Sequence, residues 1–176
     1  LLFRTELAAV QMQFLSLNTY NTYMSLHGMV MIVSILLGIA AFMNYLVPLL
    51  IGASDMAFPR LNAFSFWIAV PAGIILLSSL FLGGFDTGWT GYPPLSARAP
   101  LGMQMFFLGV SLAGFSSILG GLNVIATIIR LRAPGMSGFK MPIFTWAALA
   151  TSLISLTATQ LIGLSFQMVM LQRLFG

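Results

Sequence analysis

The chain has 176 residues, of which only seven are Lys or Arg and three are Asp or Glu, while 59% are hydrophobic. An ordinary soluble domain has about 25% charged residues, and a surface covered by the 6% found here would be almost entirely apolar. The composition therefore excludes the soluble globular class. The chain also contains no cysteine, which excludes a disulfide framework and a thiolate metal site.

The charged residues leave four long uncharged runs, at 7–54, 61–85, 99–129 and 141–172. Each run exceeds the ~20 residues that a helix needs to cross about 30 Å of hydrocarbon, and none shows the ~10-residue alternation of spanning strands. We predict an all-α, polytopic transmembrane helix bundle that forms one membrane domain over 1–176, as part of a larger bundle. The four spanning helices are predicted roughly at 24–51, 63–83, 101–129 and 142–171.

The cations predict an orientation in the membrane. Four spanning helices place the loops 52–62 and 130–140 on one side, and the segments 1–23, 84–100 and 172–176 on the other. The first side is the more densely basic, so the positive-inside rule places it inside. Its four cations are Arg60, Arg130, Arg132 and Lys140. The high pI of about 10.1 reflects such cations at helix ends, and we expect no nucleic-acid partner.

The single histidine, His27, is predicted near the outer end of the first spanning helix. Helical spacing places Met31, Ser34, Gly38 and Ala41 on the same face, and three of these four residues are small. A neutral imidazole is a good axial ligand for haem iron, and a strip of small residues would clear space for a porphyrin edge. The alternative is a histidine that hydrogen-bonds to a neighbouring helix, with the small residues allowing close helix packing.

The third predicted helix carries a polar stripe. Ser116, Gly120, Asn123 and Thr127 follow one another at helical spacing on one face. Such groups could hold a file of water molecules. They could equally form hydrogen bonds between helices.

Asp55 is the only acidic residue on the predicted inner side. With Asn44 and Asn62 nearby in sequence, a carboxylate at the mouth of a bundle could collect protons for a path inward. The alternative is a loop acid paired with Arg60. The sequence contains no nucleophile with a base, no phosphate-binding glycine loop and no carboxylate pair, so neither a hydrolase nor a nucleotide-driven pump is supported.

Several motifs together resemble subunit I of the haem-copper oxidases. They occur in the family's order and cover nearly the whole chain, and they resemble the segment from the end of the family's first transmembrane helix to the end of its fifth. The motifs are His27-Gly28-Met29, Asn44-Tyr45-Leu46-Val47-Pro48, Asp55-Met56-Ala57-Phe58-Pro59-Arg60-Leu61-Asn62, Thr87-Gly88-Trp89-Thr90, Tyr92-Pro93-Pro94, Ser116-Ser117 and Phe144-Thr145-Trp146.

The resemblance implies a role for each of the polar residues above. It implies that His27 is the outer-side axial ligand of the low-spin haem iron, and that Trp89 lies near the haem propionates. It implies that Asp55 is the mouth of a proton-uptake path. The residues that match the amides and hydroxyls of that path are Asn44, Asn62, Asn123, Ser116 and Ser117.

Near the start of the chain, Arg4-Thr5-Glu6-Leu7 resembles the family's Arg-x-Glu-Leu, whose acid often holds a structural cation on the outer side. The resemblance therefore implies a metal-binding role for Glu6. The Gly-Gln-Pro-Gly that follows in the family is replaced here by Ala8-Ala9-Val10-Gln11.

The resemblance implies that the chain is part of the catalytic subunit of a proton-pumping terminal oxidase that reduces O2 to water. It implies no catalytic residue in this segment. The implied cofactor is a low-spin haem, of type a or alternatively type b. A high-spin haem and copper belong to residues outside this chain. The implied partners are the rest of subunit I, subunit II with the copper centre that receives electrons, subunit III and the lipid bilayer. The implied location is a bacterial or archaeal cytoplasmic membrane rather than the mitochondrial inner membrane.

Two alternatives stay open. Quinol oxidases of the family often have a histidine eight residues before the haem ligand, where this chain has Thr19, so cytochrome c is favoured over quinol as the electron donor. A haem-free channel, transporter segment or assembly scaffold would show the same helices, with His27 serving only as a hydrogen-bond partner.

Overall fold

The computed structural model describes residues 1–8, 10–11 and 14–176. Over these residues the chain is 77% helical and has no strand, which confirms the all-α prediction. The helices are α1 (Leu2–Glu6), α2 (Leu17–Ile51), α3 (Pro59–Ser78), α4 (Leu95–Arg98), α5 (Leu101–Arg130) and α6 (Ile143–Phe175). Short 3₁₀ turns follow α3 at Ser79–Leu82 and precede α6 at Gly138–Lys140.

Four of these helices are long and apolar enough to cross a membrane: α2, α3 with its 3₁₀ extension, α5 and α6. Helix α2 begins seven residues before the predicted start at 24, because Ser16 caps its first turn by accepting a hydrogen bond from the Thr19 amide at 3.2 Å. Helix α3 begins at Pro59 rather than 63, with proline in the first position that tolerates its missing N–H. Polar residues therefore extend both helices beyond their apolar runs.

Close packing between α3 and α5 depends on glycine. A Cβ atom at Gly102 would lie 2.5 Å from the Ser79 carbonyl oxygen, and one at Gly109 would lie 2.9 Å from the Leu76 amide nitrogen. Any larger residue would push the two backbones apart, so these glycines set the separation of the helices. Helix α5 also packs along α6, where Gly121 faces the Ser152 backbone.

Two clusters of buried apolar side chains lie at opposite ends of the bundle. One cluster is aromatic and includes Phe85, Phe106, Phe107 and Phe166. The other is aliphatic and includes Val47, Ile51, Met56, Val124 and Ile128. We call the first the His27 end, since Leu26 and Met29 belong to its cluster, and the second the Asp55 end, since Met56 follows Asp55 in the chain.

Helix α2 is the least covered of the four. Only 6% of its most apolar 18-residue window is buried, against 28% for α5. His27 is exposed, and the exposed residues after it lie on more than one side of the helix, as Ser34 and Leu36 show, so this surface is available to lipid, to a cofactor or to further helices.

Candidate functional site: a histidine face and a polar path at opposite ends of the bundle

His27 lies three turns into α2 with its side chain exposed. Its imidazole meets the Phe3 ring of α1 edge-on, with centroids 5.2 Å apart and planes at 62°. Phe3 in turn contacts the Tyr20 ring at 6.3 Å. These contacts restrain the imidazole from one side and leave it accessible from the other.

The face of α2 below His27 is open. Met31, Ser34, Gly38 and Ala41 are all exposed, and a Cβ atom at Gly38 would meet nothing within 4 Å. An accessible imidazole beside an uncovered strip of mostly small residues leaves room for a porphyrin that the imidazole ligates, so the residues present fit a haem.

Trp89 lies beside His27 in space although it is 62 positions away in sequence. A Cβ atom at Gly28 would be 3.6 Å from Trp89 Cδ1 and 3.9 Å from its Cβ. The indole therefore packs on the backbone of α2 at the residue after His27. The long loop between α3 and α4 reaches this position because the Phe85 amide donates to Thr22 Oγ1 of α2 at 3.2 Å.

At the other end of the bundle, Asp55 lies in the loop between α2 and α3 and is exposed. Its Oδ1 accepts a hydrogen bond from the Met56 amide at 2.7 Å. Among the described residues, the Met56 amide is the one hydrogen-bond donor to this carboxylate, and Arg60 forms no salt bridge with it. A turn at Gly52, whose φ of 73° suits glycine, ends α2 just before this loop.

Asn123 and Thr127 of α5 form hydrogen bonds with the backbone of the same loop. Asn123 Oδ1 accepts from the Phe58 amide at 2.9 Å, and its Nδ2 donates to the Phe58 carbonyl at 3.2 Å. Thr127 Oγ1 accepts from the Ala57 amide at 2.9 Å. Both side chains are fully buried, so part of the polar stripe fixes the loop backbone next to Asp55.

A line of polar groups continues from this loop into the bundle. The Phe58 carbonyl also accepts from the Asn62 amide at 3.0 Å, Ser65 Oγ donates to the Asn62 carbonyl at 2.8 Å, and Ser116 Oγ donates to the Ser65 carbonyl at 2.7 Å. Asn62 Oδ1 is buried with no hydrogen-bond partner. A buried amide oxygen of this kind requires a water molecule or another donor.

The structure does not bring every residue of the predicted path together. Ser117 lies next to Ser116 in sequence but faces α6, where its hydroxyl is 2.7 Å from the Ser155 hydroxyl. Asn44 is half-buried on α2, 17 residues after His27 and therefore about 25 Å along the helix axis.

Glu6 is 5% exposed, which is unusual for a carboxylate. Its Oε2 accepts hydrogen bonds from the amides of Phe14 and Leu15 at 3.2 and 3.3 Å, so it holds the backbone of these two residues just before α2. Within the described part of the chain, no group of three or more His, Cys, Asp or Glu side chains could hold a metal ion. Residues 8–11 replace the Gly-Gln-Pro-Gly of the family, and Ala9 of this segment lies outside the described residues.

Two residues that hold the candidate sites together, Ser65 and Arg173, were not predicted from the sequence. Ser65 links Asn62 to Ser116, and its position three residues after Asn62, on the same helix face, was a signal that could have identified it. Arg173 donates four hydrogen bonds at the His27 end, and no local sequence pattern indicates its partners, which lie some 70 residues earlier.

Comparison with known proteins adds the deciding observation. The family model described as "Cytochrome C and Quinol oxidase polypeptide I" matches residues 1–176, the whole chain. The chain belongs to this family. The resemblance inferred from the motifs is thereby confirmed, and the four apolar helices agree with a multi-pass membrane protein of this family.

Relatives in bacteria support the assignment to the oxidase polypeptide I family. Cytochrome c oxidase subunit 1 of Thermostichus vulcanus is 46% identical over 98% of this chain, and that of Synechocystis sp. is 47% identical over 94%. Cytochrome c oxidase subunit 1 of Bacillus sp. strain PS3 is 43% identical over 100% of this chain. The chain spans about a third of the length of these relatives, 32%, 31% and 29% respectively.

Proposed function

We propose that this chain is part of the catalytic subunit of a respiratory terminal oxidase that reduces O2 to water and pumps protons, with cytochrome c as the electron donor. The match of the whole chain to the oxidase polypeptide I family carries the proposal. Relatives named cytochrome c oxidase subunit 1, at 43–47% identity, support cytochrome c as the donor.

In this proposal His27 is the outer-side axial ligand of the low-spin haem iron. The exposed imidazole, its edge contact with Phe3 and the open strip below it support the assignment. A bound haem supplies one-electron transfer at this position. His27 would hold and orient the haem, and Trp89 would cover its propionate edge from the loop that packs on Gly28. The haem is proposed to be of type a, with type b as the alternative.

Asp55 is proposed as the proton-collecting mouth of an uptake path. Its exposure without an ion pair to Arg60 supports this role, because an unpaired carboxylate is free to exchange protons with water. Asn123 would fix the loop that presents Asp55, while the unpartnered oxygen of Asn62 would hold the first buried water. Asn44, Ser116 and Ser117 complete the proposed path, although Ser117 faces α6 and its inclusion rests on the resemblance alone.

Other ligands and partners follow from the oxidase family. The high-spin haem and copper would be held by residues outside this chain, in the remainder of subunit I. Subunit II with its electron-receiving copper centre and subunit III are the proposed partner chains, in a bacterial or archaeal cytoplasmic membrane. Glu6 remains a proposed cation ligand, with its buried carboxylate in favour and its two backbone hydrogen bonds as a competing use.

A direct test is O2 consumption by the purified complex that contains this chain, supplied in turn with reduced cytochrome c and with a reduced quinol. We expect rapid O2 uptake with cytochrome c and little with quinol. The reverse preference would establish the quinol-oxidising alternative. No uptake with either donor, together with no haem absorbance, would establish the scaffold alternative.

A further inference from the structure

Arg173, in the last turn of α6 at the His27 end, makes four hydrogen bonds with its guanidinium group. Nη1 donates to the carbonyl oxygens of Ser96 and Ala97 at 2.7 and 3.1 Å, and Nη2 donates to that of Pro100 at 3.1 Å. Nε donates to Gln104 Oε1 at 3.0 Å. One side chain therefore joins α6 to α4, to the turn after it and to the first turn of α5.

The segment that Arg173 holds has little support of its own. Helix α4 is four residues long, so its carbonyl groups lack the intrahelical partners that a longer helix provides. A planar guanidinium can donate to several carbonyls at once in a fixed geometry, which a lysine ammonium cannot do equally well. The conformation of residues 95–100 thus depends on a residue from a different helix.

This segment is the end of the loop that carries Trp89. The start of the loop is fixed by the hydrogen bond from the Phe85 amide to Thr22. Its middle is fixed at Gly91, where a Cβ atom would lie 2.9 Å from both Met103 Cε and Phe107 Cε1. Arg173 supplies the third anchor.

Trp89 itself is 46% exposed, so burial alone does not fix its indole. Its position against Gly28, beside His27, follows from the path of the loop backbone. With the third anchor released, the loop around Trp89 would be held only by the contacts of Phe85, Thr87 and Gly91, and the indole would be freer to shift relative to the haem ligand.

We propose that Arg173 is a positioning residue for the haem edge: by fixing residues 95–100 it holds Trp89 against α2 at His27 and limits the access of water to the bound haem. This inference rests on the proposed function of His27. Greater water access stabilises the more highly charged oxidised haem and lowers its midpoint potential.

The test compares Arg173→Gln and Arg173→Lys in the assembled complex, with Arg130→Gln as the control. Arg130 is an exposed arginine at the Asp55 end, so its replacement removes the same charge far from the loop. Two quantities are measured: the rate at which trypsin cleaves after the exposed Arg98 in this segment, and the midpoint potential of the low-spin haem.

We expect Arg173→Gln to increase cleavage after Arg98 by about tenfold or more, because hydrogen bonds to a charged group restrain local opening. We expect the midpoint potential to fall in the same variant. Arg173→Lys should show smaller changes in both quantities, and it provides the readout if the glutamine variant does not assemble. Arg130→Gln should change neither quantity.

Faster cleavage with an unchanged midpoint potential would show that Arg173 only links α6 to the loop without affecting the haem, and it would overturn the proposal. Unchanged cleavage and potential would also overturn it. If the wild-type complex shows no low-spin haem band, the proposed function fails first, and this outcome is distinct because it appears without any substitution.

Discussion

Trp89 packs on Gly28, with 3.6 Å between Trp89 Cδ1 and the position that a Cβ atom of residue 28 would occupy. This contact joins the loop between α3 and α4 to the helix residue that follows His27. It brings together His27 and Trp89, the two residues proposed to touch a haem, although 62 positions separate them in the sequence. The contact also makes position 28 sensitive to side-chain size.

A graded series at Gly28 should reveal this sensitivity. Gly28→Ala places a methyl group at ordinary contact distance from the indole and should leave the low-spin haem spectrum unchanged. Gly28→Leu would overlap Trp89 and displace it, since overpacking by several methylenes is not absorbed without movement. We expect a shifted haem band or midpoint potential in the leucine variant alone, and identical spectra for both variants would contradict the proximity of Trp89 to the haem.

Replacing Asp55 by Asn should slow proton uptake and turnover. The asparagine Oδ1 can still accept the hydrogen bond from the Met56 amide, so the loop should keep its shape while the titrating group is lost. We expect turnover to fall by about tenfold or more, in keeping with the loss of a positioned proton-transfer group, and the haem spectrum to stay unchanged.

Asp86→Asn is the matched control for Asp55→Asn, because Asp86 is an exposed acid in the loop at the His27 end. Its turnover and its count of protons pumped per electron should equal those of the wild type. Equal values in Asp55→Asn as well would remove Asp55 from the proton path.

An isosteric substitution at Thr127 tests whether its hydrogen bond stabilises the loop that carries Asp55. Thr127→Val keeps the shape of the side chain but loses the acceptor for the Ala57 amide, leaving a part-buried N–H unpaired at a cost of about 1 kcal/mol or more. Hydrogen exchange at the Ala57 amide should accelerate by about tenfold or more as a result.

Thr127→Ser retains the hydroxyl and should exchange at close to the wild-type rate. Equal protection of Ala57 in the valine and serine variants would show that the hydrogen bond does not stabilise this loop.

Gly102 tests how closely the first turn of α5 packs against the 3₁₀ turn and the loop that follow α3. An alanine there would place its Cβ 2.5 Å from the Ser79 carbonyl oxygen and 2.6 Å from that of Gly84. We expect Gly102→Ala to destabilise the bundle by about 1–3 kcal/mol, seen as reduced assembled complex in membranes by quantitative immunoblot. Gly163→Ala on α6, where a Cβ meets nothing within 4 Å, should assemble normally. Equal yields would contradict the tight contact of α5 with the Ser79 and Gly84 backbone.

The four spanning helices could be predicted because apolar runs of spanning length leave few other structures for a chain in a membrane. Their ends were less predictable, since Asn18 and Thr19 are polar residues that a serine cap nevertheless brings into α2. The side-chain pattern also placed Asn123 on one face with Ser116. It could not show that Asn123 binds the Phe58 backbone, because a contact across 65 positions depends on how two helices pack and not on local spacing.

Ser117 shows the same limit of local sequence patterns, because the structure separates it from a residue that the motif groups with it. Its neighbour Ser116 bonds to α3, yet the 100° turn between successive helix residues directs Ser117 to Ser155 on α6. Motif similarity places the two hydroxyls together in one path, whereas the geometry of the helix separates them.

The ligand role of His27 is tested most directly by a reduced-minus-oxidised visible spectrum of the complex in three variants. His27→Ala removes the imidazole, His27→Phe keeps a ring beside Phe3 without a ligating nitrogen, and Phe3→Leu removes only the edge contact. We expect the low-spin haem band to be lost in both His27 variants and retained in Phe3→Leu. A low-spin band of normal intensity in His27→Phe would contradict the assignment of His27 as the axial ligand.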